Sequence, residues 1–115
     1  MADRTLIPTN TIIRTGVQPA LTAGDSANDM YFVNDGRTFI YALDGTAAPV
    51  MTFITPGTVD DNAIANRSVT VTTHATQGTF VGPFPPSVYN QTDGTVHVDL
   101  DVSGTVTLEA FRLPA

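Results

Sequence analysis

Apolar and polar positions alternate sharply in some stretches of this chain and not in others. Across 95–102, Val96, Val98, Leu100 and Val102 fall on one side, with Thr95, His97, Asp99 and Asp101 on the other. Residues 67–73 set Val69 and Val71 against Ser68, Thr70 and Thr72 in the same way. A period of two predicts strands with one wet face. Over 29–34, 37–43 and 49–55 both phases are apolar. Met30 and Phe32 oppose Tyr31 and Val33; Phe39, Tyr41 and Leu43 oppose Ile40 and Ala42; Val50 and Ile54 oppose Met51 and Phe53. Strands of that kind need cover on both faces. One cover is the core. The other is a loop, 16–28 or 57–66, or a subunit interface. Tyr31, Tyr41, Met51 and Phe53 are the candidate interface residues.

Turn signals divide the rest. Asn34-Asp35-Gly36 predicts a hairpin between 29–34 and 37–43, because these residues tolerate positive φ where a chain reverses. Asp44-Gly45, Pro56-Gly57 and Asp93-Gly94 end or begin strands, and Ser103-Gly104 predicts a second hairpin between 95–102 and 105–113. Residues 10–15 read as an edge strand, 79–82 as a short strand and 87–90 as a further one. The best helical stretch is 57–66, but its Asp and Asn content favours a loop. The expected fold is an all-β, single-domain antiparallel β-sandwich of jelly-roll-like type, with about eight short strands. Residues 1–9 are expected to form a flexible arm and 10–115 the domain.

Composition narrows the chemistry. The 115 residues suit one core, and charged residues are only 14 % of them. There is no Cys, no Trp and no Lys, so thiolate chemistry, a P-loop lysine and a Schiff base are all excluded. The formal net charge of −6 comes almost wholly from Asp, with Glu109 the one Glu. A negative chain whose five arginines are dispersed along the sequence is a poor match for phosphates, so no nucleic-acid partner is expected. No signal peptide and no membrane span are expected either.

Candidate catalytic groups are few. His97, Asp99 and Asp101 share one strand face, which is the pattern of a solvated face as much as of metal ligands or an acid–base pair. His74 reads as a turn residue and Asp60-Asp61 as a solvated loop. No nucleophile, zinc or dinucleotide motif is present. No enzyme activity, catalytic residue, cofactor or metal is expected. The densest unusual stretch is Gly82-Pro83-Phe84-Pro85-Pro86-Ser87-Val88-Tyr89-Asn90. Its prolines exclude a central strand and predict a stiff crossover anchored by Phe84, Val88 and Tyr89.

That block, with the following Gln91-Thr92-Asp93-Gly94-Thr95-Val96-His97-Val98 and the closing Val106-Thr107-Leu108-Glu109-Ala110-Phe111-Arg112-Leu113, resembles small accessory head proteins of tailed bacteriophages and prophages. So do Thr55-Pro56-Gly57-Thr58-Val59-Asp60 and Thr11-Ile12-Ile13-Arg14-Thr15-Gly16-Val17. The resemblance covers roughly 6–113 and its motifs are structural. It implies a capsid decoration or cement protein on the outer surface of the virion, with the major capsid protein as partner and a homo-oligomer, a trimer by preference, as the working state. A tail or head–tail connector component and a carbohydrate-binding β-sandwich module are the alternatives. The second of these lacks the Trp platforms such modules display.

Overall fold

The chain builds two packed sheets, and nearly every turn between long strands carries it from one sheet to the other. The computed structural model describes residues 4–46, 48–101 and 106–114. Among them are β1 (Thr5–Leu6), β2 (Thr9–Thr11), β3 (Thr22–Ala23), β4 (Met30–Val33), β5 (Thr38–Leu43), β6 (Val50–Phe53), β7 (Thr58–Val59), β8 (Asn62–Ala63), β9 (Arg67–Thr70) and β10 (Thr79–Val81). A helical turn α1 (Pro86–Tyr89) and the strands β11 (Thr95–Leu100) and β12 (Thr107–Arg112) follow. The first sheet runs β1-β4-β11-β6-β9 and the second β10-β5-β12-β2, with β3 also on β12. The all-β sandwich expected from the periodicity is the fold observed.

The sheets are mixed, not purely antiparallel: β1 lies parallel to β4, and β2 parallel to β12. Both exceptions come from one segment. Residues 5–11 run along the first sheet, cross at Ile7-Pro8, and run along the second. Ile7 is fully buried at that crossing. Residues 4–9 are therefore part of the sandwich and not an arm; residues 1–3 lie outside the described residues. The edge strand expected at 10–15 is Thr9–Thr11, and it does lie at an edge.

Neither predicted hairpin forms. The strands flanking Asn34-Asp35-Gly36 lie in different sheets, β4 pairing with β1 and β11, and β5 with β10 and β12. The strands flanking Ser103-Gly104 are likewise in different sheets, and the turn itself falls outside the described residues. The reason at 34–36 is chemical. Asn34 turns its side chain inward instead of leaving it on a hairpin tip. Its Oδ1 accepts the Gly36 N–H at 3.0 Å, and its Nδ2 donates to Phe84 O at 2.8 Å and to Asn90 Oδ1 at 2.7 Å. Asn90 Nδ2 donates back to Asn34 O at 2.9 Å. This amide pair, with Asn34 buried and Asn90 half-buried, ties the 34–36 crossing to the 83–90 crossing.

The proline-rich block is the stiff connection predicted, but 87–90 is a helical turn and not a strand. Two prolines in succession preset φ at its start, and the N–H groups of Val88 and Tyr89 both reach Pro85 O. Phe84 enters the core with ring centroids 4.7 Å from Phe53 and 5.3 Å from both Phe32 and Tyr89. Between the sheets, Met30, Phe32, Met51, Phe53, Val96 and Val98 face Ile40, Ala42, Leu108 and Ala110, all of them fully buried. The 57–66 stretch holds no helix. It forms a small ribbon, β7 on β8, reversing at Asp60-Asp61.

Two substitutions test this arrangement. Phe84→Ala removes the buried ring that packs on Phe32, Phe53 and Tyr89, and it should lower unfolding free energy by about 3–5 kcal/mol in a denaturant titration. Asn34→Ala strips partners from Asn90, Phe84 O and Gly36 N, and it should cost about 2–3 kcal/mol by the same measurement.

Candidate functional site

The sites expected on each sheet face resolve differently. Met51 and Phe53 are fully buried in the core, so they leave the candidate interface. The outward positions of β6 are Val50 and Thr52. Tyr31 and Tyr41 are half-buried on the outer faces of opposite sheets, so the four residues do not come together.

Around Tyr31 the face mixes apolar and charged groups. Leu6 and His97 are its register partners on either side, and Val33 follows on β4 with 54 % of its surface exposed. Arg4 spans the same face, its Nη1 2.8 Å from Asp99 Oδ1 and 3.2 Å from Met30 O. His97 is held below its ordinary range, first by burial and then by the Arg4 cation. Asp101 is exposed and accepts the Val50 N–H at 2.8 Å. His97, Asp99 and Asp101 thus serve the surface of the sheet. Among the described residues no cluster of His, Asp or Glu is arranged to hold a metal ion. His74 is a turn residue, as expected: its Nδ1 accepts the N–H groups of Thr76 and Gln77 at 3.1 and 3.0 Å.

The outer face of the second sheet is aromatic. Strand register sets Phe80 beside Tyr41, and Phe111 beside Phe39. The Tyr41 and Phe80 rings lie 4.6 Å apart, Phe39 and Phe80 5.7 Å, and Phe39 and Phe111 5.9 Å. Tyr41 Oη accepts the Gly78 N–H at 3.0 Å. A Cβ at Gly78 would stand 2.6 Å from the Tyr41 ring and from Ala42 O, so only glycine lets the chain pass so close.

The expected loop cover is present over half of this face. Residues 12–20 fold over the β12 side, where Ala20 N–H donates to Glu109 Oε1 at 2.8 Å and Asn10 Nδ2 donates to Gln18 O at 3.1 Å. Beneath it Glu109 is 3 % and Phe111 7 % exposed. On the β10 side no cover exists among the described residues, and Phe80 is 64 % exposed. A groove of about 460 Å³ remains, walled by Ile12, Val17 and Pro19 and floored by the aromatic rings. A second groove of about 370 Å³ continues past Phe39 and Phe80 to Arg37, Pro83 and Leu113.

The rim carries positive charge. Arg37 and Arg112 both reach Asp35 Oδ2, at 3.3 and 3.4 Å. The Arg37 backbone N–H and then these two guanidinia hold the Asp35 carboxyl below its ordinary range. Arg14 stands exposed in the Ile13–Gly16 turn, between the groove residues Ile12 and Val17. Sequence periodicity placed Phe39 and Tyr41 on one face of their strand without marking that face as the outward one. It missed Phe80 and Phe111 as their companions, because only strand register brings three separate segments together.

This surface offers apolar burial with a basic border. Its one phenol is already bound to a backbone amide. The pH response of the opposite face follows from His97. Its lowered pKa means the unfolded chain takes up a proton before the folded chain does. Stability should be full above about pH 6.5 and fall as pH drops through the folded value. Thermal melts of the wild type should show this loss as the pH is lowered through and below about 6.5, and His97→Gln should remove it. Loss below about pH 4 should persist in both, because Asp25, Asp35 and Asp93 are held below their ordinary range by hydrogen bonds from Thr5, the Arg37 backbone and Thr95.

Comparison of the chain with protein-family models, with curated proteins and with solved structures gives no match.

Proposed function

We propose that this chain is a virion structural protein of a tailed phage, a decoration or cement protein on the outer surface of the capsid. The observation that carries the reading is a pair of uncovered apolar faces on opposite sides of one small sandwich. Leu6, Tyr31 and Val33 form one, and Phe39, Tyr41 and Phe80 the other. A cement needs two kinds of contact, one to the shell and one to its neighbours. The resemblance over roughly 6–113 to accessory head proteins supports the same role. So does the charge of −6, which suits the outside of a shell better than its DNA-lined interior. The partner is then the major capsid protein, and the working state is a homo-oligomer, a trimer by preference.

A carbohydrate-binding module is the weaker reading. Rings for stacking are present, but the groove wall is Ile12, Val17 and Pro19, and Tyr41 Oη is already engaged. Sugar hydroxyls find few partners there.

The contact to the shell is assigned to the Leu6–Tyr31–Val33 face. Burial of apolar side chains at about 25 cal/mol per Å² outweighs exposed ion pairs at about 0–1 kcal/mol each. Shells assembled from the major capsid protein of the same phage should bind it on their outer surface in cryo-EM maps. Occupancy should change little between low and high NaCl, and Tyr31→Asp should abolish it with the circular dichroism spectrum unchanged. Location in the tail or connector, or steep loss of occupancy with salt, would overturn the reading.

A further inference from the structure

Almost every charged side chain in this protein is used within its own chain. Asp25 accepts from Thr5 and Asn28, Asp29 from the Leu100 N–H, Asp93 from Thr95, Asp101 from the Val50 N–H and Glu109 from the Ala20 N–H. Asp35 and Asp99 hold arginines, and Arg67 donates to Tyr89 Oη. Among the described residues, two carboxylates and one guanidinium are left over: Asp60, Asp61 and Arg14. The two groups are built differently. Arg14 is exposed on the Ile13–Gly16 turn, in sequence between the groove-lining residues Ile12 and Val17. Asp60 and Asp61 form the two-residue tip of the β7–β8 ribbon, with φ of 52° and 64°. Both are exposed, as are Asn62 and Ala63 beside them.

We infer that the groove is the docking site for the β7–β8 tip of a second copy of this chain, with Asp60 and Asp61 of one copy meeting Arg14 of the next. Charge complementarity selects this occupant. The chain as a whole is acidic and repels itself, yet the one unpaired arginine among the described residues lies on the turn between the groove residues Ile12 and Val17. Its only unpaired described carboxylates stand together on a projecting turn. Phe80 supplies the area to be buried, and Arg14 sets which segment lies over it. Aromatic residues and arginine are enriched at the centres of protein interfaces. The contact joins two different patches, so it is head-to-tail: it propagates, and it closes into a ring when the rotation allows. It deepens the cement reading by naming the copy-to-copy contact, and it leaves the Tyr31 face free for the shell.

The test uses the free chain, so a failure of shell binding and a failure of this contact are separate results. Sedimentation of the wild type up to about 0.5 mM should show concentration-dependent self-association. Arg14→Glu spoils the groove and keeps the tip. The double variant Asp60→Asn/Asp61→Asn spoils the tip and keeps the groove, and Asn accepts positive φ, so the turn survives. Each should associate at least about tenfold more weakly than wild type. Mixed together they retain one intact contact per pair, and they should form a 1:1 dimer that grows no further. Phe80→Asp should behave like Arg14→Glu, both alone and in the mixture, with unchanged circular dichroism. A wild type that stays monomeric throughout overturns the proposal. So does a mixture that fails to form the dimer, or a double variant that associates like wild type.

Discussion

Two side-chain amides, one buried and one half-buried, hold the sandwich in register with itself. Asn34 and Asn90 lie 56 residues apart, each donating to an oxygen of the other's residue. Asn34 also holds Phe84 O, which fixes the segment that delivers the Phe84 ring between the sheets. In a sandwich whose long strands repeatedly change sheets, the crossings decide which strand lands beside which. Pinning two crossings to each other sets the positions of β4, β5 and β11 together. Buried polar groups are costly when unpaired, so the same pair that stabilises this topology penalises any other.

That constraint explains what could be read from the chain and what could not. The strands around 29–55, 95–102 and 105–113 were legible, because alternation and turn residues mark their ends. The stiff 83–86 connection with Phe84 and Tyr89 as anchors was legible from prolines and aromatics. Pairing was not. Asn34-Asp35-Gly36 has the composition of a hairpin turn, and the apolar pattern on either side suits a crossing equally well. Only the inward turn of Asn34 toward residues 84 and 90 separates the two, and that is long-range information. The phase of a continuous apolar run is hidden for the same reason. In β6 Met51 and Phe53 face the core because register sets them beside Leu100 and Val98 of β11, which are themselves buried. Nothing local in Val50-Met51-Thr52-Phe53-Ile54 distinguishes that phase from its opposite.

The uncovered aromatic face has a cause in chain length. Burying both sides of the second sheet requires a third layer. Among the described residues the cover comes from the 12–20 loop, and it reaches across the β12 side alone. The loop is held by Glu109, whose carboxylate is buried under it and accepts the Ala20 N–H. The one Glu of the chain therefore divides the face: rings on its side are covered, and Phe80 beyond it is not.

Charge is distributed by the same economy. A domain with so few ionisable groups gains little from exposed ion pairs, each of which contributes about 0–1 kcal/mol. Its aspartates instead accept hydrogen bonds from backbone amides and hydroxyls at turns and crossings, which replaces helix caps in an all-β chain. Asp29, Asp93 and Asp101 each stabilise a turn or strand end in this way. The carboxylates so used lie on loops scattered around the sandwich and produce no single acidic surface. The ribbon tip is the exception, since Asp60 and Asp61 contribute to no turn but their own and occupy a backbone conformation that glycine or asparagine would adopt more readily. Two charged residues kept side by side at positive φ weaken the local fold. In the proposed head-to-tail contact, Arg14 of the next copy would supply the counter-charge that the ribbon itself lacks.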